Sequence, residues 1–129
     1  MSDFVPLNDS TEEHLRRALF IDLIQLAPEG SELLITQDSW AGIPDLLGPQ
    51  LAIEPGSWVV ALTPSTREFL VQQAHSRDFQ TTMVHFYIRH QERDVVTSYD
   101  CMCGLLIDPT FPDYARIITE YAPLGSIMT

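Results

Sequence analysis

Leucines at 15, 19, 23 and 26, widened by Phe20 and Ile24, recur at the spacing of one helix face. Just before them, Ser10-Thr-Glu-Glu13 has the form of a capping box. Ser10 can accept from the third helical N–H, Glu13 can reach back, and both glutamates favour the positive helix end. Pro28-Glu29-Gly30 supplies the stop. The pattern predicts a helix over 11–26. The period then shortens: SELLITQ (31–37) and SWVVALT (57–63) are rich in β-formers and read as strands. Pro64 suits a first helical position and Ser65-x-x-Glu68 offers a second capping box. A helix is therefore expected over 65–76, with Phe69, Leu70 and Ala74 inward. Between the two strands, residues 38–56 hold three prolines and three glycines. This segment is expected either to form a helical turn at 44–48 and a short strand at 50–54, or to be a long surface loop.

The stretches TTMVHFYIRH and VVTSYDCMCGLLI flank QERD and predict a hairpin. If His90 pairs with Val95, one face carries Val84, Phe86 and Ile88 against Cys101, Tyr99 and Thr97, and is the natural core face. The other carries Met83, His85, Tyr87 and Arg89 against Met102, Asp100, Ser98 and Val96. Period-two alternation fixes these sets, and a one-residue bulge would exchange them. Tyr114, Ile117, Ile118 and Tyr121 then give a last amphipathic helix at 112–122, stopped by Pro123; LGSIMT after it carries no signal. The expected fold is a single α+β domain over 1–129, in the order α-β-(β)-β-α-β-β-α. Its helices lie on one face of a mostly antiparallel sheet of four to five strands, after a short leader at 1–9.

Composition narrows the setting. A chain of 129 residues with 45% hydrophobic content can bury a real core. No apolar run reaches the roughly 18–20 residues of a membrane span. The acidic N-terminus lacks a basic region of the secretory type, and two cysteines without such a signal fit free thiols in a reducing cytoplasm. Charge changes the picture most. The chain has no lysine, seven arginines and 18 acids, for a net charge of −11. No basic residue lies between Arg17 and Arg67, while six acids do: Asp22, Glu29, Glu32, Asp38, Asp45 and Glu54. Such a field repels nucleic acid and anionic membrane and steers a basic protein partner.

Candidate chemistry is sparse. Cys101 and Cys103, read as one strand, stand roughly 6.5–7 Å apart on one face, too far for a relaxed disulfide. With no second ligand pair nearby they read as core residues, not a metal site. His85 and Asp100 are expected cross-strand neighbours, with Tyr87 and Ser98 on the same face; a carboxylate orienting an imidazole beside a hydroxyl is acid–base geometry. No Gly-x-Ser-x-Gly elbow, phosphate loop or dinucleotide fingerprint accompanies it, so no cofactor and no metal is expected. Trp40, set among Asp38 and Asp45 in the irregular segment, has the character of an interface anchor.

The function these features favour is acidic protein binding. The leading form is an immunity-type inhibitor of a basic toxin or nuclease, with Asp38, Trp40, Asp45 and Glu54 at the interface. A nucleic-acid mimic or a secretion chaperone would share the bulk traits. The alternatives are a small enzyme using His85, Asp100 and Ser98, and a dimeric regulatory subunit; the chain is expected to be a monomer or homodimer.

Overall fold

The computed structural model describes residues 9–39, 47–48, 51–76 and 85–128. These form an α+β unit with helices α1 (Asp9–Leu26), α2 (Pro64–Ser76) and α3 (Tyr114–Glu120). The strands are β1 (Glu32–Thr36), β2 (Leu51–Glu54), β3 (Ser57–Ala61), β4 (Phe86–His90), β5 (Arg93–Tyr99), β6 (Gly104–Ile107) and β7 (Ile127–Met128). They make one sheet in the order β2-β3-β1-β4-β5-β6-β7, antiparallel at every junction except the parallel β6–β7 pair. The sheet thus has seven strands, not four or five. Leu47 is helical and buried, while 40–46, which include most of the expected turn at 44–48, and all of the expected leader except Asp9 lie outside the described residues.

A single buried cluster joins the helices to one sheet face. From α1 come Leu19, Phe20, Leu23 and Ile24, from α2 Leu70 and Ala74, and from α3 Ile117. Phe20 meets Phe86 of β4 edge to face, with ring centroids 5.4 Å apart. The predicted leucine stripe is therefore the packed stripe, and each fully buried side chain of this size stabilises by about 1.5–3 kcal/mol. β1 lies inside the sheet, between β3 and β4: Leu33 and Ile35 face the cluster, and Leu34 on the opposite side is buried as well.

Both helix starts differ from the expected caps. Ser10 lies inside α1, not at its cap. At α2 the reciprocal box is two residues earlier than Ser65 and Glu68. The Thr66 N–H donates to Thr63 Oγ1 at 3.2 Å, and the Thr63 N–H donates to Thr66 Oγ1 at 2.8 Å. Pro64 fills the first helical position as expected, where its missing N–H costs nothing. The end of α1 is capped from a distance. Arg67 Nη1 donates to the carbonyls of Ile24 (2.8 Å), Ala27 (2.8 Å) and Gln25 (3.3 Å), while Nη2 reaches Pro28 O and Nε reaches Leu62 O. The last carbonyls of a helix have no partner within it, and a guanidinium there also meets the negative end of the dipole.

The hairpin of β4 and β5 forms, with a different register. Phe86 pairs with Ser98, not Tyr99, and a bulge between Ile88 and Arg89 shifts the pairing to Arg89–Asp94 and His90–Arg93. Gln91 and Glu92 make a two-residue turn with φ of 52° and 65°, the doubly positive pattern of a type I′ turn. The one-residue change exchanges the faces of β5: Val96 and Ser98 enter the core, and Tyr99 leaves it. The strand then ends. Asp100, Cys101 and Met102 all have positive φ (51°, 57° and 66°), and the Cys103 N–H closes the turn on Asp100 O at 3.1 Å. Residues 97–107 are thus two strands around a left-handed turn. Cys101 is half-buried and Cys103 exposed, neither of them in a disulfide, and the core position belongs to Met102. The cysteines are not the core pair that one continuous strand implies.

α3 is also shorter than 112–122. Asp113 precedes it in a left-handed conformation, and Pro123 falls in a 3-10 helix (Ala122–Leu124) that carries the chain into β7. The segment LGSIMT, silent as sequence, thereby supplies an edge strand.

Two stability tests follow from this packing. Met102→Ala is expected to cost about 2–4 kcal/mol and Cys103→Ser less than about 0.5, read by urea denaturation. The reverse order would mean that a thiol, not the thioether, plugs the core. Arg67→Ala is expected to cost about 2–4 kcal/mol, with Arg67→Lys recovering less than half because an ammonium cannot fork to several carbonyls. A lysine variant as stable as the wild type would refute the capping role.

Candidate functional site

The acidic positions marked by the sequence separate into two kinds. Asp38 is exposed, in the turn that follows β1. Beside it Ser39 is buried and ties this turn to β4. Its hydroxyl accepts the His85 N–H at 3.1 Å and lies 2.7 Å from Thr36 Oγ1, while the Thr36 N–H donates to His85 O at 3.2 Å. Asp38 is thus held on a fixed turn with its carboxylate outside. Glu54 differs. It bonds Arg89 at 2.9 and 3.2 Å, and the same guanidinium bonds Glu32 at 3.0 and 3.2 Å. Those bonds hold the Glu54 carboxyl below the usual carboxylate range. Glu54 therefore serves a bridge inside the molecule. Trp40 and Asp45 lie outside the described residues.

His85 and Asp100 are neighbours, but their link is through the main chain. The Asp100 N–H donates to His85 Nδ1 at 3.3 Å. An Nδ1 that accepts leaves the proton on Nε2, so the ring is fixed without help from the carboxylate. Tyr99 stands edge-on to the same ring, with centroids 6.5 Å apart. Ser98 is on the opposite face, fully buried opposite Phe86, and its hydroxyl has no hydrogen-bond partner among the described residues. The expected grouping of His85, Asp100 and Ser98 on one face is not formed, because the β4–β5 register differs by one residue.

Two features escaped sequence reading. The first is a cleft of about 410 Å³ between the three helices, lined among others by His14, Asp22, His75, Arg116 and Tyr121. At its floor the Tyr121 hydroxyl donates to Asp22 Oδ2, and Arg116 approaches the same oxygen at 3.5 Å. Burial first, and then the bond to Asp22, push the Tyr121 phenol well above its usual range. Its helical spacing marked Tyr121 only as packing. The second is an exposed apolar set on the sheet face away from the helices: Tyr99, Leu106 and Met128. Alternation along GLLI would have shown Leu106, had Gly104 been recognised as the start of a new strand.

The distribution of charge is the site's main electrostatic property. Every described arginine is engaged within the molecule. Arg16 pairs with Glu12, Arg17 with Glu13, Arg93 with Asp108, and Arg116 with Asp22, Asp113 and Glu120, while Arg89 and Arg67 act as above. Among the described residues Glu29, Asp38, Glu68, Glu92, Asp94 and Asp100 are exposed and make no ion pair. Among the described residues, too, no three His, Cys, Asp or Glu side chains come together as a metal would need, and no helix is long and apolar enough to cross a membrane.

The raised Tyr121 phenol gives a pH test. A folded-state value above the unfolded one contributes stability that is complete below about pH 10 and lost as pH rises through the folded value. Absorbance titration near 295 nm is expected to show one of the four tyrosines ionising late, and Tyr121→Phe to remove that late phase. Loss of an early phase instead would refute the assignment.

Comparison with protein-family models, with curated proteins and with solved structures finds no match to this chain.

Proposed function

We propose that this protein binds a basic protein partner through its acidic surface, and that its leading role is that of an immunity-type inhibitor of a basic toxin or nuclease. One observation carries the reading: the described arginines are all engaged internally, while six exposed carboxylates have no ion pair. A net charge of −11 is therefore presented outward as an uncompensated negative field. Fields of this kind accelerate encounter with a cationic partner and reject anionic ones. Asp38 is the sequence-marked residue best suited to the contact, since it is exposed and its turn is pinned by Ser39 to β4. The acid–base reading of His85 and Asp100 gains no support from the geometry, because the ring is held by a main-chain N–H and Ser98 faces the core.

The full chain, immobilised, is expected to retain a basic protein from extract of its source organism at low salt (~0.05 M) and to release it by ~0.5 M, where screening shortens to a few ångströms. Retention of only neutral or acidic proteins, or binding indifferent to salt, would overturn the reading.

A further inference from the structure

Of the four large apolar side chains that stand exposed among the described residues, three, Tyr99, Leu106 and Met128, lie together. The pairings Tyr99–Gly104, Thr97–Leu106 and Leu106–Met128 place all three on the sheet face turned away from the helices. Gly104 lies beneath two of them: a Cβ there would sit in ordinary contact, 3.5 Å from Met128 Cε and 3.9 Å from Tyr99 Cδ2. His85 extends the patch beyond Tyr99. Two exposed carboxylates without ion pairs stand at this end of the sheet. Asp100 follows Tyr99 directly, and Asp38 precedes the serine that binds the His85 main chain. The remaining exposed residue of the four, Ile53, lies on β2 at the opposite edge.

We propose that this corner of the sheet is the docking surface for the basic partner, with Tyr99, Leu106 and Met128 as its apolar centre and Asp38 and Asp100 as its acidic rim. The inference rests on the acidic-binding reading above and locates it. Apolar patches bounded by polar residues mark interaction sites, and aromatic and methionine side chains are enriched at the centres of such sites. The occupant is fixed by charge. A second copy would bring another −11 and place like carboxylates against one another, since a two-fold contact pairs a patch with itself. An arginine- or lysine-bearing surface around an apolar side chain satisfies both the rim and the centre. The rim sets encounter and the centre sets residence, because screened charges act on association and buried apolar contacts on dissociation.

The test places a photo-crosslinker in the full chain as Leu106→p-benzoylphenylalanine, with Glu68→p-benzoylphenylalanine on the exposed side of α2 as control. Irradiation in extract of the source organism is expected to join position 106 to a basic protein and leave position 68 unjoined. That protein, purified, is expected to bind Asp38→Asn/Asp100→Asn at least tenfold more weakly, and Leu106→Ser/Met128→Ser at least tenfold more weakly, with thermal midpoints held near that of the wild type. Joining of position 106 to a second copy of this chain would overturn the proposal, as would a partner joined at 68 and not at 106. If the charge variant loses affinity and the apolar variant does not, this surface is wrong while the acidic reading stands. If the apolar variant alone loses affinity, the partner is not selected by charge, and both fail. Absence of any bound basic protein also removes both.

Discussion

The C-terminus of α1 ends against one guanidinium, and the arrangement of the helices over the sheet depends on that contact. Arg67 stands on the first turn of α2 and donates to carbonyls on either side of the α1 stop and to Leu62 O before its own helix. The last carbonyls of α1 have no partner within their own helix, and leaving such groups partly shielded from water without a donor costs more than a hydrogen bond contributes. Because Arg67 also follows Thr63 and Thr66, whose reciprocal bonds start α2, the end of one helix and the start of the next are fixed by adjacent residues. Arg17 closes the same pair from the other end by donating to Ala74 O at 2.7 Å. The two helices therefore have little freedom to slide, and Phe20 is set against Phe86 by their common position.

Arginine does comparable work on the open face of the sheet. Glu32 is at the start of β1, whereas Glu54 lies opposite Ser57 and so level with the end of β1. Arg89 nevertheless bonds both, which requires a sheet coiled enough to bring that diagonal together. Leu34 and Val59, on the same face, are buried. The ion pairs are half-exposed and each is worth little alone; their significance is geometric, since the bridge from Arg89 on β4 through Glu32 on β1 to Glu54 on β2 spans four neighbouring strands and reaches the edge of the sheet.

The regular parts of this fold were legible where local chemistry and tertiary demand agree. The leucine period of α1, the β-formers of β1 and β3 and Pro64 at the start of α2 are each local signals that packing reinforces. The turn at 100–103 was not legible, because three successive non-glycine residues in left-handed conformation run against the usual steric preference. Such a turn exists only if something else holds it, and there Met102 is fully buried in the core. With that turn hidden, Cys101 and Cys103 read as core, and Ser98 as sharing a face with His85. The bulge after Ile88 compounded this, since one residue of shift exchanges every side chain between faces. β7 has two residues and a parallel partner far away in sequence, so no window of the chain contains its signal. Of the acidic positions, Asp38 and Glu54 are equivalent as letters, and only the reach of Arg89 across the sheet separates the free carboxylate from the bridged one.

These observations connect the composition to the surface. A fold that uses arginine to cap a distant helix end and to bridge a diagonal needs a planar donor able to serve several oxygens at once; lysine, absent from this chain, would not substitute. Once the described arginines are committed in that way, they cannot neutralise the exposed acids, and the negative field becomes a consequence of how the interior is held. The field is strongest in effect where it borders apolar surface, because a low-dielectric contact strengthens each charge beside it. Among the described residues the corner that combines Tyr99, Leu106 and Met128 with Asp100 meets that condition. Its left-handed turn holds Met102 in the core and ends β5 at Tyr99, a residue that the β4–β5 register has already placed on the outer face.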